Sequence, residues 1–258
     1  MKQDNKESDT MIKGIYHSAE GMLAGQRHLE TVSNNLANAS TIGYKKEKIS
    51  FRQALNNSSF PPYPFLSGEK FVQAQRGGQM MNQQGSLKRT DNPLDVAIVG
   101  DGFFAVDTGN GLAYSRDGRF ALNGEGELVT LTGYPVLTAG GTLQLQDGDL
   151  RISPEGELVL YDNGSKREQI LDSLMVVAFN DPSQLTPTRD GLLVTDQEPV
   201  ALDEPVIRVG YLEESTVDVV SGMVEMIELN RMYEASAKAI HTQDQTLSKA
   251  VNDVGRVR

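Results

Sequence analysis

Three histidines, His17, His28 and His241, are the natural candidates for metal ligation or proton transfer in a chain without a single cysteine. His17 and His28 stand eleven positions apart. On a helix that is about 16 Å along the axis, too far to share one ion. The lack of Cys removes disulfides, thiolate nucleophiles and Cys-ligated zinc or iron–sulfur sites. Gly100-Asp101-Gly102-Phe103-Phe104-Ala105 opens like a dinucleotide fingerprint, but it has no third glycine and runs on into strand-type residues. No helix N-terminus follows to take a phosphate. Acidic glycine loops such as Gln146-Asp147-Gly148-Asp149 do not fit a Ca²⁺ loop with its closing Glu, and Asp-Gly there is hairpin chemistry. No Ser/His/Asp order, P-loop or H-E-x-x-H occurs, and 35 acidic residues in 258 make chance carboxylate pairs uninformative. The residues name no catalytic group, no cofactor and no metal site. What is left is contact chemistry: amide, basic and apolar side chains at regular spacing.

That contact chemistry sits at the two ends of the chain. Ile15, Met22, Leu29 and Leu36 recur every seven residues, widened by Ile12, Tyr16, Ala19, Leu23 and Val32, and predict a helix over 11–39 with Thr10 as its N-cap. Gly14, Gly21 and Gly25 weaken such a helix, so its stability must come from packing. Near the other end, Val219, Met226, Tyr233, Ile240, Leu247 and Val254 keep a seven-residue interval, with Met223, Asn230, Ala237, Asp244 and Val251 interleaved. This is an a/d seam, and Asn230 and Asp244 are the polar members that set register in such seams. The terminal helices are each other's natural partners. The predicted architecture is a mainly β central domain, rich in hairpins and barrel-like, with N- and C-terminal α-helices pairing as a coiled coil.

The middle reads as β. Leu94–Val99 and Phe103–Val106 are apolar runs punctuated by Gly100-Asp101-Gly102 and Gly109-Asn110-Gly111. Asp117-Gly118, Asn123-Gly124 and Asp147-Gly148 mark hairpin turns. Glu125-Gly126-Glu127-Leu128-Val129 recurs as Glu155-Gly156-Glu157-Leu158-Val159, which predicts two equivalent turns each entering a strand. Ser173–Phe179, Leu192–Thr195 and Val206–Leu212 are further strand candidates, and Phe60–Gln84 reads as an extended connector. The predicted division is a polar extension over 1–10, helix and exit loop over 11–58, connector over 59–90, β domain over 91–212 and C-terminal helix over 213–258. Cutting after Leu212 is then expected to leave a folded β domain.

Charge follows the same division. The net charge of −11 is carried by residues 61–212, at −10, while 1–60 stand at +2 and 213–258 at −3. An acidic surface of this kind argues against nucleic acid as a partner. No run approaches the roughly 18–20 apolar residues of a membrane span, and the polar start lacks the apolar stretch of a cleaved secretory signal.

The segment Asn34-Asn35-Leu36-Ala37-Asn38, followed by Thr41, Gly43, Tyr44 and Lys45, places three Asn within five positions, more amides than a helix C-cap needs. It closely resembles the N-terminal signature of flagellar basal-body rod and hook proteins. Asp95-Val96-Ala97-Ile98, Gly100–Phe104, Tyr114–Phe120 and Gly133-Tyr134-Pro135-Val136 are similar to β-domain motifs of that family. Ser215–Val219, Met223–Ile227, Arg231–Glu234 and Lys238–Ile240 resemble its C-terminal signature. Residues 1–10 extend beyond the pattern, and Ser115 stands where Thr is commoner.

The resemblance implies a structural subunit of the flagellar rod with no enzymatic activity. It implies assembly with itself and with other rod and hook proteins, no small-molecule substrate, no nucleic acid and no membrane insertion. It also implies export without a cleaved leader into the periplasm-spanning rod of the basal body. The short connector favours the proximal rod over the distal rod. The expected assembly interface comprises Ile15, Met22, Leu29, Asn34, Asn35, Leu36 and Asn38 from the first helix, and Val219, Met223, Met226, Asn230, Tyr233, Ile240 and Leu247 from the last. Two readings of other classes stand beside it: a β-domain ligand-binding module on a helical stalk, and an enzyme using an acidic pair in the β domain.

Overall fold

The computed structural model describes residues 4–49, 79–81, 83–145, 149–162, 167–188, 190–202 and 204–255. The chain divides into two compact units: among the described residues one holds 4–36, 47–49 and 218–255, the other 37–46 and 79–217. The Asp147-Gly148 turn, Phe60-Pro61-Pro62-Tyr63-Pro64 and most of the expected connector lie outside the described residues.

The first unit is built on two helices, α1 (Asp4–Ala37) and α2 (Val219–Gly255). Helix α1 begins seven residues before the expected Met11, so Thr10 lies within it and does not cap it. The physical reason is that the polar residues from Asp4 to Thr10 include no Pro or Gly, and nothing in their backbone stops the helix from extending past the last apolar position. Helix α2 starts where the sequence supplies a cap: Asp218 Oδ1 accepts from the Val220 N–H at 3.0 Å and Oδ2 from Ser221 Oγ at 2.6 Å.

The second unit is an antiparallel β body. Its largest sheet has six strands in the order Thr186–Pro187, Leu193–Val194, Leu112–Ser115, Phe103–Asp107, Val176–Ala178, Val200–Ala201. A three-stranded sheet is formed by Asp149–Ile152, Glu157–Asp162 and Arg167–Ser173. The run Phe103-Phe104-Ala105-Val106 is continuous because its strand is buried on both faces. Phe104 and Val106 point into the main core with Phe120, Leu128, Val136 and Val176, while Phe103 and Ala105 point into a second core with Tyr114, Val177 and Phe179. Aromatic edges set both: Phe104 meets Phe120 at 5.0 Å between ring centroids and Tyr114 meets Phe179 at 4.8 Å.

The internal echo is two copies of one turn. In the first, Gly126 N–H donates to Asn123 O at 3.1 Å, and the Asn123 side chain accepts from the N–H of Glu125 and Glu127. In the second, Gly156 N–H donates to Ser153 O at 2.9 Å, and Ser153 Oγ accepts from the N–H of Glu155 and Glu157. The expected strand Val206–Leu212 is two strands: Val206–Val209 pairs with Val96–Val99, and Tyr211–Glu213 pairs with Leu87–Arg89. Gly210, at φ +73°, turns the chain between them. Its N–H donates to Asp95 O at 2.7 Å, so the break is held by the body of the sheet.

Candidate assembly site

Three close approaches link α1 and α2. A Cβ at Gly25 would stand 3.8 Å from Met232 Cε, His28 Nε2 lies 3.1 Å from Glu225 Oε1, and a Cβ at Gly222 would stand 3.9 Å from Leu36 Cδ1. As numbers rise in α1 they fall in α2, so these helices run antiparallel. At both Gly25 and Gly222 these are ordinary van der Waals distances, so a Cβ would fit against the facing helix. Among the expected residues of α1, Met22, Leu29 and Leu36 are half-buried, Asn34 is exposed, Asn35 is buried and Asn38 half-buried. The side chain of Ile15 lies outside the described residues, as does that of Leu247 in α2.

Helix α2 faces α1 along Gly222, Glu225, Met226 and Leu229, a stripe offset from the expected seam and sharing Met226 with it. Val219, Met223, Asn230 and Tyr233 are exposed, and Ile240 is half-buried. Val220, Val224 and Ile227 are exposed as well, so five apolar side chains in the first nine positions of α2 are between 40% and 71% exposed. Its first turns are therefore apolar over more than the face that one partner helix covers.

The amides have assigned work. Asn35 Nδ2 donates to Glu47 O at 2.8 Å and Asn35 Oδ1 accepts from Glu47 N–H at 2.9 Å, imitating a strand pair and closing the loop that leaves α1. Asn38 Oδ1 accepts from Thr41 Oγ1 at 3.1 Å.

A buried charge cluster stands at the end of that loop, within the β unit. Glu213 Oε1 accepts from Lys45 Nζ at 2.5 Å and from Gly85 N–H at 2.7 Å, and Glu213 Oε2 accepts from Arg116 Nη1 at 3.1 Å. All three charged side chains are 1% exposed. Lys45 Nζ also donates to Gln83 O at 2.7 Å, Arg116 Nη2 to Gly100 O at 2.6 Å, and the Arg116 guanidinium lies 5.2 Å from the centre of the Phe103 ring. Burial holds the Lys45 ammonium below its ordinary range and the neighbouring Arg116 adds to this, against the opposing pull of Glu213 and Asp101. Burial lowers Arg116 too, again opposed by Glu213 and Asp101. Two cations thus share one carboxylate out of water, an arrangement that loses about 3–5 kcal/mol when one partner is removed. Gly43 shows how close the segments approach: at φ +71°, a Cβ there would lie 2.5 Å from the Arg116 carbonyl carbon. The Gly43 N–H donates to Glu213 O at 2.7 Å.

The sequence gives no sign of this cluster, because its members are 97 and 168 positions apart. Lys45 and Gly43 belong to the N-terminal signature and Arg116 to a β-domain motif, but nothing in the spacing pairs them with Glu213.

Family models match three stretches of the chain. One described as flagella basal body rod protein matches residues 15–45, one described as flagellar hook protein FlgE/F/G D1 domain matches 97–160, and one described as flagellar basal body rod FlgEFG protein C-terminal matches 208–253. The chain is 32% identical over 256 residues to the flagellar basal-body rod protein FlgF of Rhizobium meliloti, covering 96% of this chain and 100% of the relative. The chain belongs to the flagellar basal-body rod protein family. It is also 32% identical over 255 residues to FlgF of Caulobacter vibrioides, covering 96% of the chain and 100% of that relative. To FlgG of Buchnera aphidicola from Acyrthosiphon pisum it is 33% identical over 264 residues, covering 93% and 98%. Each matched stretch of this rod-family protein supplies one member of the buried cluster: Lys45 from the first, Arg116 from the second and Glu213 from the third. Among the described residues no helix is long and apolar enough to cross a membrane, and no group of His, Asp or Glu is arranged to hold a metal.

Proposed function

We propose that this protein is a non-enzymatic structural subunit of the flagellar rod, assembling with copies of itself and with other rod and hook proteins through its terminal helices. The observation that carries this reading is the uncovered apolar stripe Val219, Val220, Met223, Val224 and Ile227. Water-exposed apolar area of this extent on one helix is stabilised when another helix covers it. The stripe lies beside the residues that face α1, so α2 is built to hold one helix of its own chain and to receive others in a coiled-coil layer. A rod grows without closing, which requires heterologous contacts between unlike patches. An α2 with two apolar faces provides them.

The short 59–90 connector supports the proximal rod as the place of this subunit. The proposed domains differ from those of the sequence analysis in the β domain, which takes in the exit-loop residues 37–46 and residues 79–90 and extends through Glu213 to Val217, because Lys45, Gly85 and Glu213 are wired together. The test is sedimentation of the full-length chain over a range of concentrations. Wild type is expected to pass from monomer to long, open polymers, alone or with its axial partners. A Val224→Glu/Ile227→Glu variant is expected to remain monomeric with its β unit folded. Polymers formed equally well by that variant would contradict the reading.

A further inference from the structure

The buried cluster does more than add stability to the β unit. Glu213 is the meeting point of the two chain segments that lead to the helices. On the N-terminal side, Gly43 N–H donates to Glu213 O, Lys45 Nζ reaches the Glu213 carboxylate, and Lys46 N–H donates to Thr216 Oγ1 at 2.8 Å. On the C-terminal side, Thr216 N–H donates to Tyr44 O at 3.1 Å and Glu214 N–H to Ser86 O at 2.8 Å. Residues 83–86 are fastened to the same carboxylate through the Gly85 N–H and, via Lys45, through Gln83 O. Arg116 ties all of this to the sheet, since it also donates to the carbonyls of Ile98 and Gly100.

We infer that Glu213 is a positioning residue for assembly: its buried carboxylate clasps the roots of both terminal helices, residues 43–46 and 213–216, to one point of the β unit. The inference rests on the assembly reading for its purpose, while its geometry stands within the β unit alone. One shared acceptor has a specific consequence. Neutralising it leaves Lys45 and Arg116 buried with only the pull of Asp101 to offset two charges, so the economical response is for the Lys45 side of the loop to leave and become solvated. The sheet cores around Phe104 and Phe103 contain none of these charges and keep their packing. The roots come loose while the body stays folded, and the helices lose their fixed starting points.

Amide hydrogen exchange on the monomeric full-length chain tests this residue by residue. In Glu213→Gln, the amides of Gly43, Gly85, Glu214 and Thr216 are expected to lose protection by about 100-fold or more, the scale set by removing one partner of a buried pair. Ala105 and Asp107, whose N–H groups bond Met175 O and Pro135 O in the body, are expected to remain well protected. Lys45→Met, which keeps the Arg116–Glu213 pair, should release Gly43 and leave Gly85 protected. Unchanged protection at Gly43 and Thr216 in Glu213→Gln overturns the inference. If Glu213→Gln does not fold, Lys45→Met decides: selective release of Gly43 supports the clasp, and wild-type protection at Gly43 refutes it. Failure of the wild-type chain to polymerise would remove the assembly reading and leave this exchange pattern unaffected, so the two ideas fail separately.

Discussion

The strand Phe103–Asp107 and the first turns of α2 are both dense in apolar residues, and the protein treats them in opposite ways. Phe103, Phe104, Ala105 and Val106 are all at most 1% exposed, divided between two cores on either face of their sheet. Val219, Val220, Met223, Val224 and Ile227 are left largely in solvent. Charge is distributed in the opposite sense. The β unit carries most of the acidic excess outside, yet it buries two cations and a carboxylate together, where a one-partner loss is costly. One region is complete within the chain and the other is not. Stability is concentrated in the β unit, and the capacity to associate in α2.

This contrast is sharpest in truncation. Ending the chain after Val217 should leave a β unit that melts cooperatively. Ending it after Leu212 removes the side-chain and backbone acceptors of Glu213 and leaves Lys45 and Arg116 without that partner, so this fragment should still melt cooperatively through its sheet cores but with an unfolding free energy lower by at least about 3–5 kcal/mol. The sequence alone places that safe cut at Leu212, so equal stability of the two fragments in urea titrations would restore the boundary at Leu212. Next in size is Phe104→Ala, which empties the junction with Phe120 and should lower the unfolding free energy by about 3–5 kcal/mol in urea titrations. Gly43→Ala should lose at least about 1–2 kcal/mol from the left-handed backbone alone, with the crowding against Arg116 adding to it.

A smaller effect separates by pH. Burial alone would raise the Asp172 carboxyl, but hydrogen bonds from Thr138 Oγ1 and from the N–H groups of Ser173 and Gly140 outweigh it and hold the group below its ordinary value. A carboxyl lowered in the folded state contributes fully above the unfolded value, near pH 4, and loses that contribution as pH falls through the folded value. Asp172→Asn should therefore be less stable than wild type at pH 7, with the gap between their urea midpoints narrowing at pH 3. The smallest effect on monomer stability belongs to Val224→Glu/Ile227→Glu, within about 0.5 kcal/mol per exposed site, despite its expected complete loss of polymer.

Local patterns carried much of this architecture. The Asn123 and Ser153 turns follow from a five-residue echo, the buried strand from four apolar residues in a row, and both helices from a seven-residue interval. The helix start at Asp4 was not legible, because mixed polar residues without Gly or Pro extend a helix as readily as they end it. In the sequence Gly210 is a residue inside an apolar run, and its role as a break comes from its positive φ and the different pairing partners of the strands on either side. The face of α2 turned toward α1 runs along Gly222, Glu225, Met226 and Leu229, offset from the ideal seam, which no repeat count reveals. The Lys45–Arg116–Glu213 cluster was least legible of all: burial and long-range topology, not spacing, bring its members together.

Because the chain contains no cysteine, Val224→Cys creates a single reporter on the open stripe. Its labelling by a water-soluble maleimide, followed in the monomer and then in sedimented polymer, tests most directly whether that stripe is where subunits join. Rapid labelling of the monomer and labelling slowed at least tenfold in the polymer is the predicted result. Equal rates in the two states would show that the stripe stays open in the assembly, and would contradict the account.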